Sequence, residues 1–185
     1  DEINRAPAKV QSALLEAMQE RQITIGRSSY PLEKLFFVLA TQNPIEVTGT
    51  YLLPEAEVDR FMLKLRIRYP SYSEERKITE RQVMDEEPEV KAVFSPKEIL
   101  DLRHYIARRT PLRDDSPIVK YSTRIVRATR PEEGTDGFIK GLALYGASPR
   151  ASISLAKAAR AYSFIKGDDT VLPEHVQAMA YPVLR

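Results

Sequence analysis

Leu35-Phe36-Phe37-Val38-Leu39-Ala40-Thr41, with the Gln42-Asn43-Pro44 that ends it, decides the fold class. The run is apolar on both parities, which suits a strand covered on both faces, as in a parallel α/β sheet. In open parallel sheets ligands collect beyond the carboxyl ends of strands, so the polar residues at 42 and 43 mark a candidate site. Upstream, Val10, Leu14, Ala17 and Met18 recur at i, i+4, i+7 and i+8 and predict an amphipathic helix from Pro7 to Arg21, with Pro in its first turn. Between helix and strand, Gln22-Ile23-Thr24-Ile25 and Tyr30-Pro31-Leu32 flank Gly26-Arg27-Ser28-Ser29. This predicts a hairpin in which Tyr30 is a cross-strand neighbour of Ile25.

Downstream, Leu53 to Phe61 reads as a short helix with Pro at its start and acids in its first turn. Leu63, Leu65, Ile67 and Tyr69 then alternate with Lys64, Arg66 and Arg68, a strand with one wet face whose basic residues guard an exposed edge. From Tyr69-Pro70-Ser71-Tyr72 onward everything reads as helix. Ser71-x-x-Glu74 is a capping box opening a helix to about Glu87, and Ser95-Pro96-Lys97-Glu98 repeats it before Ile99, Leu102, Tyr105 and Ile106. Ser116-Pro117 opens a third helix, and Gly137 to Tyr145 is a fourth helical stretch weakened by Gly141. Ser148-Pro149 caps a fifth, with Leu155, Ala158, Ala159, Tyr162 and Ile165 on one stripe and Gly167 past its end; a last helix begins near Pro173. The chain therefore divides into an α/β part over 1–70 and an all-helical part over 71–185.

Composition narrows the chemistry. With 185 residues, 43% hydrophobic and 29% charged, the chain can bury a core without covalent staples. It has no Cys, which excludes a thiolate zinc site, a disulfide framework and a redox dithiol. Its two histidines, His104 and His175, stand too far apart in sequence to suggest a multi-histidine metal site, and neither is given a role. The charge of +2, from 28 basic against 26 acidic residues, gives no electrostatic reason to expect nucleic acid as a partner. No run approaches the roughly 18 apolar residues of a spanning helix. The opening Asp1-Glu2-Ile3-Asn4, without an initiator Met, reads as cut from something longer.

Four motifs occur in a telling order: Asp1-Glu2-Ile3-Asn4-Arg5-Ala6, Ala40-Thr41-Gln42-Asn43-Pro44, Leu53-Pro54-Glu55-Ala56-Glu57-Val58-Asp59-Arg60-Phe61 and Gly146-Ala147-Ser148-Pro149-Arg150-Ala151. In that order the chain resembles the MoxR family of AAA+ ATPases, tightly over 1–70 and 146–166 and loosely between. The resemblance implies a fold: part of an α/β P-loop NTPase core lacking the Walker A half, followed by an all-α lid subdomain. It also implies ATP hydrolysis with Mg²⁺ at the interfaces of a homo-oligomeric ring, a hexamer in the cytoplasm. The work expected is chaperone-like remodelling or maturation of client proteins, often with von Willebrand A-type partners. A magnesium-chelatase-type or other AAA+ motor subunit is the rival within the class, and a non-hydrolysing oligomerisation or adaptor module the rival outside it.

Carried over residue by residue, Asp1 resembles the Walker B metal holder and Glu2 the acid that acts on the lytic water. Taken alone the two are a solvated acidic pair. Asn43 resembles a polar sensor beside the γ-phosphate, and the Asn-Pro turn that ends its strand would present the amide. Arg60 resembles an arginine finger reaching the neighbouring subunit's nucleotide; its local alternative is a helical pair with Glu57 at i, i+3. Arg150 also has an argument of its own. It sits two residues after the cap Ser148, at the positive end of a helix, where a cation is disfavoured unless an anion is near. A helix start plus Arg suits phosphate, and the resemblance makes this the sensor-2 position.

Two features depart from the family. No GxxxxGK[ST] loop occurs anywhere in the chain. In the AAA+ sheet order 5-1-4-3-2, residues 35–41 correspond to strand 4 and 62–69 to strand 5, and the strand between them is missing. The expectation is a carboxyl-terminal portion of a larger ATPase, inactive by itself, with the Asn43 strand showing apolar faces to water. Val47-Thr48 also stands where a more polar pair is expected.

Overall fold

A computed structural model describes residues 1–43, 51, 53–84, 89–113, 115–132 and 139–185. A single 3-10 turn, Ile3–Arg5, precedes helix α1 (Ala8–Glu20) and the hairpin β1 (Gln22–Ile25) and β2 (Ser28–Pro31). Helices α2 (Glu55–Val58), α3 (Tyr72–Val83), α4 (Pro96–Arg109), α5 (Pro117–Ala128), α6 (Pro149–Lys166) and α7 (Pro173–Leu184) follow.

The core belongs to the last three helices. Ile118 and Val126 on α5, Ala151, Leu155 and Ala159 on α6 and Val176 on α7 form one buried cluster. Small residues on α6 let its neighbours approach closely, while Leu155 and Val126 supply the bulk. The predicted α6 stripe holds at Leu155, Ala158 and Ala159, but Ile165 is exposed: in the last turn Ser163 is the buried residue and Phe164 meets Tyr105 of α4 edge-on. Gly167 ends α6 at φ +84°, the left-handed conformation that a C-terminal stop requires. His175 holds the start of α7. Its Nδ1 accepts from the Leu172 amide at 3.0 Å and its Nε2 lies 2.9 Å from the Asp168 carboxylate.

The caps at Ser71, Ser95, Ser116 and Ser148 all start helices where the sequence places them. The α3 helix ends at Val83, short of the expected Glu87, and residues 85–88 lie outside the described residues. The expected fourth helical stretch is corrected over 139–145, which forms turns and a bridge between Lys140 and Ala143. Gly141 adopts φ +85°, which breaks a right-handed helix there. The rest of that stretch, Gly137 and Phe138, lies outside the described residues, as do Pro44, Val47 and Thr48.

The hairpin forms with a tighter turn than expected. Ser28 and Ser29 belong to β2, leaving only Gly26 and Arg27 in the turn, with Gly26 at φ +63°. Tyr30 consequently faces Ile23, and Ile25 faces Ser28. A second correction concerns the two predicted core strands. Residues 35–41 and 62–69 carry no ladder, and β1–β2 is the only sheet among the described residues. Both segments are exposed to match: Phe37 is 80%, Leu39 81%, Ile67 88% and Tyr69 93% accessible. A ladder needs a neighbour about 4.8 Å away, and no described strand lies beside either segment. Isolated bonds stand where a ladder would: in the first segment the Ile3 amide donates to Thr41 O at 2.9 Å and the Arg21 guanidinium to Phe36 O at 3.2 Å, and in the second the Lys64 amide donates to Pro182 O at 2.7 Å.

Candidate functional site

The first group of site residues forms where the 3-10 turn meets the end of the 35–43 segment. The Glu2 amide donates to the Thr41 hydroxyl at 2.8 Å, and that hydroxyl donates to the Asp1 carboxylate. Asn4 donates from its side chain to the Asn43 carbonyl at 3.4 Å. Thr41 thus connects Asp1 with the backbone of Glu2, and Asn4 ties the Asn43 carbonyl to the same turn. Glu2 adopts φ 45°, ψ 60°, a left-handed conformation that costs a non-glycine residue about 1–3 kcal/mol. Its carboxylate receives the Arg5 guanidinium at 2.7 Å. Beneath this group the buried Gln11 on α1 donates to the Ile3 carbonyl at 3.1 Å, anchoring the turn on the helix.

Arg60 belongs elsewhere. Its Nε donates to Gln19 Oε1 at 3.2 Å and its NH1 to the Ala56 carbonyl at 2.6 Å. The helical pair with Glu57 does not form, and one buried Glu57 oxygen has no hydrogen-bond partner. Gln11 and Gln19 are eight residues apart on α1, about 12 Å at the rise of an α-helix. The α1 contact of Arg60 therefore lies well along the helix from the one that anchors Ile3. Arg60 lines a shallow cleft of about 270 Å³ between α1 and α2, with Gln19 and Glu57.

Arg150 meets the anion its position calls for, and the anion is part of this chain. The Ser148 hydroxyl donates to Asp59 Oδ1 at 2.6 Å, and Arg150 NH1 donates to Asp59 Oδ2 at 3.1 Å. The same Ser148 oxygen accepts from the Arg150 amide at 3.1 Å, capping α6. No acidic residue stands in the first turn of α6, so the Asp59 carboxylate is what offsets the helix dipole and the guanidinium there. The Glu55 carboxylate, in the first turn of α2, pushes the Tyr145 phenol pKa up, chiefly by hydrogen bonding.

Sequence reasoning missed Asp59, Thr41 and Gln19. Asp59 was legible as an acid beside Arg60, but its partners lie about 90 positions away and only folding brings them together. Among the described residues no three His, Asp or Glu side chains converge as a metal cage. In the first group the Asp1 carboxylate offers the kind of oxygen donor that Mg²⁺ takes, an ion commonly held by one or two carboxylates with phosphate oxygens and water making up the shell.

Residues 1–63 match the ATPase family associated with various cellular activities (AAA), and residues 140–185 match the AAA lid domain. Chaperone MoxR1 of Mycobacterium tuberculosis is 45% identical over 186 aligned residues, covering 100% of this chain and 48% of that protein. The uncharacterized protein YeaC of Bacillus subtilis is 40% identical, covering 97% of this chain and 53% of its own length. A crystal structure of a candidate ATPase from Cytophaga hutchinsonii superposes with a TM-score of 0.87 at 44% identity, covering 100% of this chain and 56% of that one. The chain spans about half the length of the curated relatives it matches.

Proposed function

Because this chain belongs to the MoxR family of AAA+ ATPases, we propose that the protein hydrolyses ATP and uses the cycle to remodel or mature partner proteins. The observation that carries the reading is the convergence of Asp1 and Glu2 through Thr41, and of Asn43 through Asn4, on the turn at one end of α1. In this reading residues 1–70 are the carboxyl-terminal half of the α/β core and 71–185 the helical lid. The AAA and lid matches at the two ends of the chain support that division.

Asp1 would hold Mg²⁺, and the metal when bound would draw charge from the β- and γ-phosphate oxygens. Thr41 fixes the Asp1 carboxylate and the backbone at Glu2 together, so both acids are oriented before nucleotide arrives. Glu2 orients the attacking water and takes its proton. Arg5, bonded to the Glu2 carboxylate, aims it. Asn43 would present its amide to the water or a phosphate oxygen. Arg150, at the start of α6, would contact phosphate from the lid side.

Arg60 would complete a neighbouring subunit's site, which makes a ring, hexameric in the family, part of the mechanism. Its partners Gln19 and Ala56 O are neutral, and Gln19 lies well along α1 from the Gln11 that anchors the turn after Glu2, which supports use in trans. A von Willebrand A-type partner and a cytoplasmic setting complete the proposal.

The test is Glu2→Gln in the full-length protein. A fluorescent ATP analogue should bind as to wild type while phosphate release falls by two orders of magnitude or more. Undiminished release removes Glu2 from the mechanism. Wild-type protein that neither binds nor hydrolyses ATP favours the adaptor reading.

A further inference from the structure

The carboxylate of Asp59 occupies the place a phosphate would take on α6. It accepts from the cap hydroxyl of Ser148 and from Arg150, one oxygen to each, at 2.6 and 3.1 Å. A helix start carrying a guanidinium attracts an anion of any source, and here the source is the residue next to Arg60. We propose that Asp59 is an exchangeable internal anion: it holds Arg150 until nucleotide phosphate displaces it, and its release reports lid engagement to Arg60. This rests on the proposed role of Arg150 toward nucleotide.

Three observations support exchange over a fixed structural pair. First, the pair is accessible, with the Arg150 side chain 50% and the Asp59 side chain 25% exposed. Ion pairs so placed are weakly held, and a multiply charged phosphate is the stronger partner for a guanidinium. Second, α2 is a single turn with no buried residue, so little else pins Asp59. Third, Arg60 is bonded to the carbonyl of Ala56, within the same turn. A backbone movement of Asp59 on release carries that bond with it, because the Asp59 and Arg60 amides close the turn onto Glu55 and Glu57.

Linkage fixes the sign of the effect. If phosphate and Asp59 compete for Arg150, removing the Asp59 charge must tighten nucleotide binding, and only while Arg150 is present. In the full-length protein, Asp59→Asn should lower the Kd for a fluorescent ATP analogue by about fivefold. In an Arg150→Ala background the same substitution should leave Kd unchanged. Hydrogen exchange on wild-type protein reads the release without substitution: saturating analogue should speed exchange of the Asp59 and Arg60 amides. Unchanged or weaker binding by folded Asp59→Asn, equal tightening without Arg150, or slowed or unchanged exchange at 59 and 60 each overturns the proposal while leaving the ATPase reading standing. Wild-type protein that binds no analogue overturns both.

Discussion

Gly146 passes so close to Thr129 that a Cβ on it would lie 2.5 Å from the Thr129 carbonyl oxygen. The atoms it would meet are backbone, at Thr129 and Arg130, and cannot swing aside. Two further bonds lock this crossing: the Ala147 amide donates to the Thr129 hydroxyl at 2.9 Å, and Arg130 Nε donates to the Ala147 carbonyl at 3.1 Å. The crossing fixes the approach of Ser148 and Arg150 to Asp59. Gly146→Ala should therefore cost about 1–3 kcal/mol as an overpacking substitution. Chemical denaturation should show the loss, and in the full-length protein nucleotide affinity should change with it. A variant as stable as wild type would mean that the two segments part without strain.

Ser148→Ala removes an N-cap and a donor to Asp59 in one step. A lost cap alone costs about 1 kcal/mol, and the upper end of the range near 2 kcal/mol is expected because a carboxylate also loses a partner. Ser148→Asp keeps the capping oxygen and sets a second carboxylate against Asp59, so it should stay as low as the Ala variant. Urea midpoints for the three proteins decide this. Full recovery by Asp would show that the cap alone matters.

Leu155 is fully buried where α5, α6 and α7 meet. Leu155→Ala should cost about 2–5 kcal/mol, with the cavity term setting where in that range it falls. Ile165→Ala, on the same predicted stripe but exposed, should cost less than about 0.5 kcal/mol. Thermal unfolding of the pair separates a stripe inferred from periodicity from one that is buried.

The helix starts were legible because their signals are local. Ser95 and Glu98 sit three apart and find each other whatever the rest of the chain does, and the same holds at Ser71 and Glu74. The end of α6 at Gly167 is equally local. The segment Leu35–Thr41 was not legible to the same degree. Parity tells that both faces want cover, but a ladder depends on which strand lies alongside, and that is a non-local fact. Tyr30 failed on a smaller scale, since moving two residues from turn to strand shifts every cross-strand pair. Asp1, Glu2 and Asn43 could be singled out by motif as candidates, whereas Asp59 could not, since its partners Ser148 and Arg150 are far away in sequence.

The two capping boxes set a dependence on pH. The Ser95 amide and then its hydroxyl lower the Glu98 pKa, and the Ser71 hydroxyl and then its amide lower that of Glu74. A carboxyl whose folded pKa is depressed binds fewer protons in the folded than in the unfolded state. Its contribution is present above the unfolded value, about 4.3 for Glu, and is lost as pH falls through the lower folded value. The first turns of α3 and α4 should hold at neutral pH and fray in acid. Carboxyl titration by NMR should find Glu98 below the ordinary Glu range and only part of the way back to it in Ser95→Ala, which loses the hydroxyl donor and keeps the amide. A Glu98 that titrates identically in both proteins would remove the Ser95 hydroxyl as a cause.

Arg60 poses the sharpest test of assembly. Its guanidinium rests on the Gln19 side chain and the Ala56 carbonyl, both neutral, so moving it to a phosphate breaks no ion pair. Its contacts on α1 begin about 12 Å along the helix from the residue that anchors the turn carrying Glu2. In a ring, each active site would then take Glu2 from one subunit and Arg60 from the next. Arg60→Ala in the full-length protein should reduce turnover by roughly 10³ to 10⁵, the range for an arginine finger. Mixing it with Glu2→Gln protein, itself inactive, should restore part of the rate, because some interfaces then pair an intact Glu2 with an intact Arg60. Recovery should rise and fall with the mixing ratio, since each ring needs both kinds of subunit side by side. Absence of recovery at every ratio, with subunit exchange verified by fluorescence, would return Arg60 to its own subunit, and the distance along α1 would then have to be closed by movement of α2.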